Sequence, residues 1–125
     1  MLTETKKVLV VDDEKDLREA IKTALDYEGF IVETAEDGVE AFAKAHEFRP
    51  DLILLDILMP KQNGIDTLKS LRKEEWAKDT PVIIMTVLDD MDKLSDAIEA
   101  GASEYLVKTD ISLGTIVSKV KAKLE

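Results

Sequence analysis

Asp12 and Asp13 close the apolar run Val8-Leu9-Val10-Val11, and Asp56 closes Leu52-Ile53-Leu54-Leu55. Thr86 closes Val82-Ile83-Ile84-Met85, and Lys108 follows Tyr105-Leu106-Val107. Asp56 is the hardest of these to place in a purely structural role. Apolar residues precede it and Ile57-Leu58-Met59-Pro60 follow it, so it is a charge inside an apolar stretch. Burying such a carboxylate costs free energy, and Asp12 and Asp13 nearby would add like-charge repulsion. A cation relieves both costs. Oxygen donors without Cys or His partners suit Mg²⁺, with Mn²⁺ as the alternative. Two or three carboxylates leave coordination places for water and a phosphate oxygen, and the sequence has no EF-hand-like loop for Ca²⁺. Lys108 at the same edge would pair with free Asp56 or contact an added phosphoryl oxygen, and the Thr86 hydroxyl could donate to the same oxygen. Each residue also has a plainer role. Asp12-Asp13 suits a helix start, Thr86 a strand end and Lys108 an exposed surface.

The elements that must bring these residues together are legible as alternating patterns. Short apolar runs, including Phe30-Ile31-Val32, recur along the chain. Several are β-branched and continuous, as parallel strands buried on both faces are. Between them lie segments of helical period: Leu17, Ala20, Ile21, Ala24 and Leu25; Phe42, Ala45 and Phe48; Ile65, Leu68 and Leu71; Leu94 and Ile98; and Leu113, Ile116, Val117, Val120 and Leu124. Gly29 and Gly101 fall where the first and fourth helices should stop, and Pro81 opens the fourth strand. Five strand–helix pairs predict an α/β fold with right-handed crossovers and helices on both faces of a parallel sheet. Ligands in such sheets bind beyond the carboxyl ends of the strands. Asp12, Asp13, Asp56, Thr86 and Lys108 all fall at that edge, while the second strand ends in Thr34 without an acid.

The 125 residues fit one domain, 1-125, with enough chain to bury a core. With 17 basic and 27 acidic side chains the net charge is −10, which disfavours direct nucleic-acid binding and anionic membrane surfaces. No apolar stretch approaches the roughly twenty residues that span a bilayer. The polar N-terminus lacks a signal-peptide core, and a cytoplasmic location is expected. There are no cysteines, so disulfides and thiolate metal sites are excluded.

The chain resembles the response-regulator receiver family over essentially its whole length. The resemblance rests on Val-Asp-Asp-Glu at 11–14, Leu-Asp-Ile-Leu-Met-Pro at 55–60 with Gly64 following, Met-Thr at 85–86 and Gly-Ala-Ser-Glu-Tyr-Leu-Val-Lys at 101–108. It implies a five-stranded, flavodoxin-like sheet of order 2-1-3-4-5, an order already associated with this family. It further implies that Asp56 is the phosphoacceptor, that Asp13, Asp56 and the backbone carbonyl of Leu58 ligate Mg²⁺, and that Asp12 acts through a metal-bound water. Thr86 and Tyr105 match the switch pair, and Lys108 the family's lysine. The implied function is phosphorelay signalling rather than enzymatic turnover, with a phosphohistidine on a sensor kinase or phosphotransfer protein as donor. The implied output is a changed face formed by helix four, strand five and helix five, which contacts a downstream protein or a second copy in a phosphorylation-dependent dimer.

Several positions depart from the family pattern. Thr109 follows Lys108 where the family usually has proline. A cis bond before a non-proline residue costs about 2.5–4 kcal/mol, so a trans bond is expected. Val87 replaces the small residue common after the switch threonine. Leu58 and Leu88 occupy the positions that tune acyl-phosphate hydrolysis, and neither can orient a water, which predicts slow self-dephosphorylation. His46 is expected on a solvated helix face, Trp76 against a connection, and Asp89, Asp90 and Asp92 at the start of helix four. A competing reading is a Mg²⁺-dependent phosphohydrolase with an aspartyl-phosphate intermediate. Such enzymes usually place a second Asp where Leu58 stands and need added segments. The helix-five pattern runs to the end of the sequence, so no output domain is expected within it.

Overall fold

The computed structural model describes residues 5–57, 63–86, 91–108 and 112–124, leaving aside the side chains of Met91 and Asp92. Its strands are β1 (Lys7–Val11), β2 (Ile31–Ala35), β3 (Leu52–Asp56), β4 (Val82–Thr86) and β5 (Glu104–Val107). They alternate with α1 (Lys15–Tyr27), α2 (Gly38–Phe48), α3 (Gly64–Arg72), α4 (Met91–Glu99) and α5 (Leu113–Leu124), with a short 3-10 turn at Glu75–Ala77. All strand pairs are parallel and the order is β2-β1-β3-β4-β5.

Strand periodicity divides the core in two. Leu9, Val11, Ile53, Leu55 and Ile84 point to one face, where Ala41 and Ala45 of α2, Leu68 and Leu71 of α3 and Ala97 of α4 cover them. Val8, Val10, Leu52, Leu54, Ile83 and Met85 point to the other, under Ile21 and Leu25 of α1 and Ile116 and Val120 of α5. This explains the continuous apolar runs of the central strands, whose two faces are both buried. The edge strands differ. β2 alternates exposed Ile31 and Glu33 with buried Val32 and Ala35, and β5 buries only Leu106. β2 starts after Phe30 and ends at Ala35, one residue beyond the expected Thr34.

Local chemistry sets the helix ends. Asp37 caps α2 by accepting from the Glu40 N–H, and Asn63 caps α3 by accepting from the Asp66 N–H. Gly29 and Gly101 follow α1 and α4 at φ of 98° and 107°, the left-handed conformation that favours glycine. Pro81 precedes β4 rather than opening it, and its carbonyl accepts from the Ile53 N–H. Two helical assignments change. On α4, Ile98 is exposed and Ala97 faces the core with Leu94; on α5, Leu113 is also exposed.

β1 lies between β2 and β3, so the connections after β1 and β3 leave in opposite directions and open a crevice between their carboxyl ends. That crevice positions the site.

Candidate functional site: an acidic crevice beneath Lys108

β1 delivers Asp12 and β3 delivers Asp56 to the crevice from neighbouring strands. The Asp12 N–H continues the sheet by donating to the Ala35 carbonyl, which fixes its backbone. Arg18, one turn into α1, donates from Nη1 to the Asp12 carbonyl at 2.8 Å and also approaches Glu36 at 3.9 Å. Asp12 Oδ1 accepts from the Glu14 N–H at 2.8 Å. Asp12 therefore orders its own loop, but the N-cap of α1 is Glu14, whose side chain makes no capping bond.

Carboxylate oxygens of Asp12, Asp13 and Asp56 lie within 4.8 Å of one another. Asp12 and Asp56 are buried and Asp13 is exposed, so two acids form the floor and one forms the mouth. Lys108 enters from the end of β5 with its side chain 11% exposed. Its Nζ lies 2.9 Å from Glu14 Oε1, 3.1 Å from Asp12 Oδ2 and 3.3 Å from Asp56 Oδ2. Thr86 is buried at the end of β4 and is in register with Val107, the residue before Lys108.

The electrostatics are unbalanced. Burial pushes the Asp12 carboxyl above its ordinary value, although the Glu14 amide and Lys108 pull it down. Burial would lower the Lys108 ammonium, but its hydrogen bond to Glu14 and the charges of Asp56 and Asp12 outweigh this and hold it above the usual lysine range. Asp12 Oδ2 forms an ion pair with Lys108 but accepts no well-aligned hydrogen bond, and it is shielded from solvent. A buried carboxylate oxygen in that state, beside two further carboxylates and, among the described residues, no thiolate or imidazole in the cluster, fits a hard divalent cation.

Gly64 shapes the floor from below. Its N–H donates to the Ile57 carbonyl at 2.9 Å. A Cβ there would lie 2.3 Å from the Asp56 carbonyl oxygen and 2.8 Å from Ile57 Cα, so the α3 N-terminus packs directly on the backbone that carries Asp56.

The structure thus gathers Asp12, Asp13, Asp56 and Lys108, with Thr86 at the same sheet edge. Tyr105 lies on β5 opposite Ile84, 43% exposed, and does not line the crevice floor. Leu58, Val87, Leu88, Asp89, Asp90 and Thr109 lie outside the described residues, as does the Lys108–Thr109 peptide bond. His46 is exposed as expected, and its ring meets the edge of Trp76 at 5.8 Å, far in the fold from the acidic edge. Trp76 packs against the core from within the 3-10 turn, with the Arg49 guanidinium 4.6 Å from its ring centre. Sequence reading missed Glu14 and Arg18 as site-shaping residues. Their partners are Lys108 and the Asp12 carbonyl, and only the repeated acids of Asp12-Asp13-Glu14 hinted at the first.

Comparison with known proteins gives the site a family. Residues 8–121 match the model of the response regulator receiver domain. The chain is 42% identical over 106 residues to the probable transcriptional regulator ycf27 of Guillardia theta, covering 84% of this chain and 41% of that protein. It is also 42% identical over 118 residues to the transcriptional regulatory protein PrrA of Mycobacterium leprae, covering 94% of this chain and 49% of that protein. The chain spans about half the length of the curated relatives it matches. Among solved structures, the Vibrio cholerae chemotaxis protein CheY4 superposes with a TM-score of 0.88 at 34% identity, covering 95% of this chain and 98% of the other. A CheY-like receiver domain protein from Methanospirillum hungatei gives 0.89 at 28% identity, covering 97% and 94%. With its family model, sheet order and acidic crevice in agreement, the chain belongs to the response regulator receiver domains of two-component signalling systems.

Proposed function

We propose that this domain accepts a phosphoryl group on Asp56 and passes the change to a protein-binding face. The observation that carries the proposal is the convergence of Asp12, Asp13 and Asp56 within 4.8 Å beneath Lys108. Asp12, Asp13 and Asp56 would hold Mg²⁺, or Mn²⁺ in its place, with the Leu58 carbonyl as a further ligand implied by the family. Bound there, the cation supplies positive charge against the phosphoryl oxygens, which is the main catalytic demand of phosphoryl transfer.

The protein's own groups do the rest. An Asp56 carboxylate oxygen forms the new bond to phosphorus as the phosphorus–nitrogen bond of a donor phosphohistidine breaks. The departing imidazole nitrogen keeps the electron pair. Lys108, already 3.3 Å from Asp56 Oδ2, meets a phosphoryl oxygen by a short movement. The Thr86 hydroxyl donates to another, and the space it leaves accepts the Tyr105 ring. The response is a two-state shift biased by the phosphoryl group. It reaches the face made by α4, β5 and α5, whose exposed apolar side chains Ile98, Tyr105 and Leu113 support a protein target or a second copy as partner. The net charge of −10 argues against nucleic acid as the direct partner of this domain.

The test is incubation with Mg²⁺ and a small acyl phosphate, followed by intact mass. One phosphoryl adduct that is lost in Asp56→Asn is expected. Sustained hydrolysis of the donor would instead favour a phosphohydrolase. No adduct from this donor or from a cognate kinase would overturn the proposal.

A further inference from the structure

Lys108 divides its ammonium among three carboxylates, and its shortest contact is to a residue with no role in the scheme above. Glu14 Oε1 lies 2.9 Å from Nζ, against 3.1 Å for Asp12 and 3.3 Å for Asp56. Glu14 occupies the N-cap of α1 but makes no capping bond with its side chain. Its backbone is held at both ends. The N–H donates to Asp12 Oδ1 at 2.8 Å, and the carbonyl accepts from the Arg18 N–H at 2.9 Å. The Glu14 side chain is 63% exposed, whereas those of Asp12 and Asp56 are 0% and 4% exposed. The anchored backbone therefore carries a carboxylate over the mouth of the crevice, above the two acids on its floor.

We infer that Glu14 is a positioning residue for Lys108, holding its ammonium at the mouth of the site when a cation engages Asp12 and Asp56. The inference rests on the Mg²⁺-assisted phosphoacceptor reading. A lysine ammonium has three N–H donors and no acceptor; here it donates to Glu14 and Asp56 and pairs by charge with Asp12. A cation on the floor competes with Lys108 for the oxygens of Asp12 and Asp56. With Glu14 present, Lys108 gives up two contacts and keeps the third, so it stays within reach of an incoming phosphoryl oxygen. Without Glu14, the carboxylates left to the ammonium among the described residues are the floor acids, and it opposes the cation more strongly. A rival account makes Glu14 only one more negative charge near the metal. The two accounts differ in whether the effect passes through Lys108.

Calorimetric titration of the full chain with Mg²⁺ separates them in a double-mutant cycle. Glu14→Gln and Glu14→Asp are each made with Lys108 present and in a Lys108→Met background. Glu14→Asp keeps the charge but is one methylene shorter. With Lys108 present, both substitutions are expected to weaken Mg²⁺ binding about three- to fivefold, the upper range for a partly exposed ion pair. In the Lys108→Met background both should change it by less than about twofold, the ordinary limit of additivity. Equal losses in the two backgrounds, a Glu14→Asp variant that binds like wild type, or no change anywhere would overturn the inference while leaving the metal site intact. Wild type that fails to bind Mg²⁺, or binds no better than Asp13→Asn, would overturn the metal reading and the inference together. The exposed side chain and absent capping bond make these variants safe for folding.

Discussion

Asp12→Asn should stabilise the protein in the absence of metal. Asp12 is 0% exposed, its Oδ2 has no hydrogen bond, and oxygens of Asp13 and Asp56 lie within 4.8 Å. At an effective dielectric constant of about 20, like charges at the outer limit of 4.8 Å repel by about 3.5 kcal/mol and closer ones by more, and Lys108 at 3.1 Å attracts by about 5 kcal/mol. Asp13 is exposed, so its repulsion is screened to a fraction of that value. One full and one reduced repulsion thus roughly balance the lysine. Burial of the ionised group tips the sum, at about 1–3 kcal/mol for an unsatisfied buried oxygen, and the raised Asp12 carboxyl agrees in sign. Asparagine keeps the oxygen that accepts from the Glu14 N–H and removes the charge; its amide nitrogen takes the Oδ2 position 3.1 Å from Lys108 Nζ, so the lysine turns to Glu14 and Asp56, its other partners. The expected gain is about 1–2 kcal/mol near pH 7 with chelator present, measured by urea unfolding followed through Trp76 fluorescence. The pH dependence follows from linkage. A folded-state pKa above the ordinary 3.8 means that the ionised form costs native stability. The advantage of asparagine should therefore be absent below the ordinary value, grow as pH rises through it, and level off above the raised folded value. Mg²⁺ should narrow or invert the gap, because ten times its Kd adds about 1.4 kcal/mol to whichever protein binds it. If Asp12→Asn were less stable than wild type by more than about 1 kcal/mol in chelator, lysine pairing would outweigh burial and the reasoning would fail.

Gly64→Ala places a Cβ 2.3 Å from the Asp56 carbonyl oxygen, against backbone that cannot swing aside. A loss of about 2–4 kcal/mol in urea unfolding is expected, with weaker Mg²⁺ binding as Asp56 is displaced; an unchanged midpoint would contradict the close packing. Arg72 donates to the carbonyls of Ala77, Thr80 and Gly101, joining three segments. Arg72→Met should cost about 2–4 kcal/mol with little change in Mg²⁺ affinity, since charged hydrogen bonds to two part-buried carbonyls and one exposed one are being removed; calorimetry beside urea unfolding checks both parts. Leu88 cannot orient a water, so a polar replacement there should shorten the lifetime of the phosphoryl adduct severalfold, as followed by intact mass; an unchanged lifetime would count against slow loss as a property of that side chain.

The central strands were legible because burial on both faces leaves continuous runs such as Leu52-Ile53-Leu54-Leu55. Edge strands carry only half that signal, and the strand pattern at β2 stops at Thr34, one residue short of its carboxyl end at Ala35. Neighbour order is not written in periodicity at all, and it came from the family resemblance. On α4 the pattern pointed to Ile98, yet the core-facing residue is Ala97. Small side chains bury fully without standing out as hydrophobic anchors. In the site, Asp12, Asp13 and Asp56 were readable because charge abutting apolar strands is costly wherever it occurs. The Glu14–Lys108 contact joins residues 94 positions apart, and the Arg72 bonds reach from Ala77 to Gly101. Each of those residue types is ordinary on a surface, and only the closed sheet identifies its partner.

The same geometry links chemistry to surface over a short path. Lys108 is the residue after β5, and β5 holds register with β4 through Val107 opposite Thr86 and Tyr105 opposite Ile84. Both groups expected to meet a phosphoryl oxygen, Lys108 and Thr86, therefore sit at the ends of one strand pair. On the proposed reading, a shift of Lys108 from the floor acids toward the mouth would act on the end of β5, three residues beyond Tyr105. The alternating burial of that edge strand then matters. Leu106 is held in the core while Tyr105 beside it is 43% exposed, so the strand has a fixed side and a side free to repack. A packed core resists continuous deformation and favours discrete alternatives. The partly exposed aromatic on an edge strand, one residue from an anchored leucine, is where such an alternative costs least. On the proposed reading, the phosphoryl group would supply the bias at the crevice, and the incomplete burial of β5 would give that bias somewhere to go.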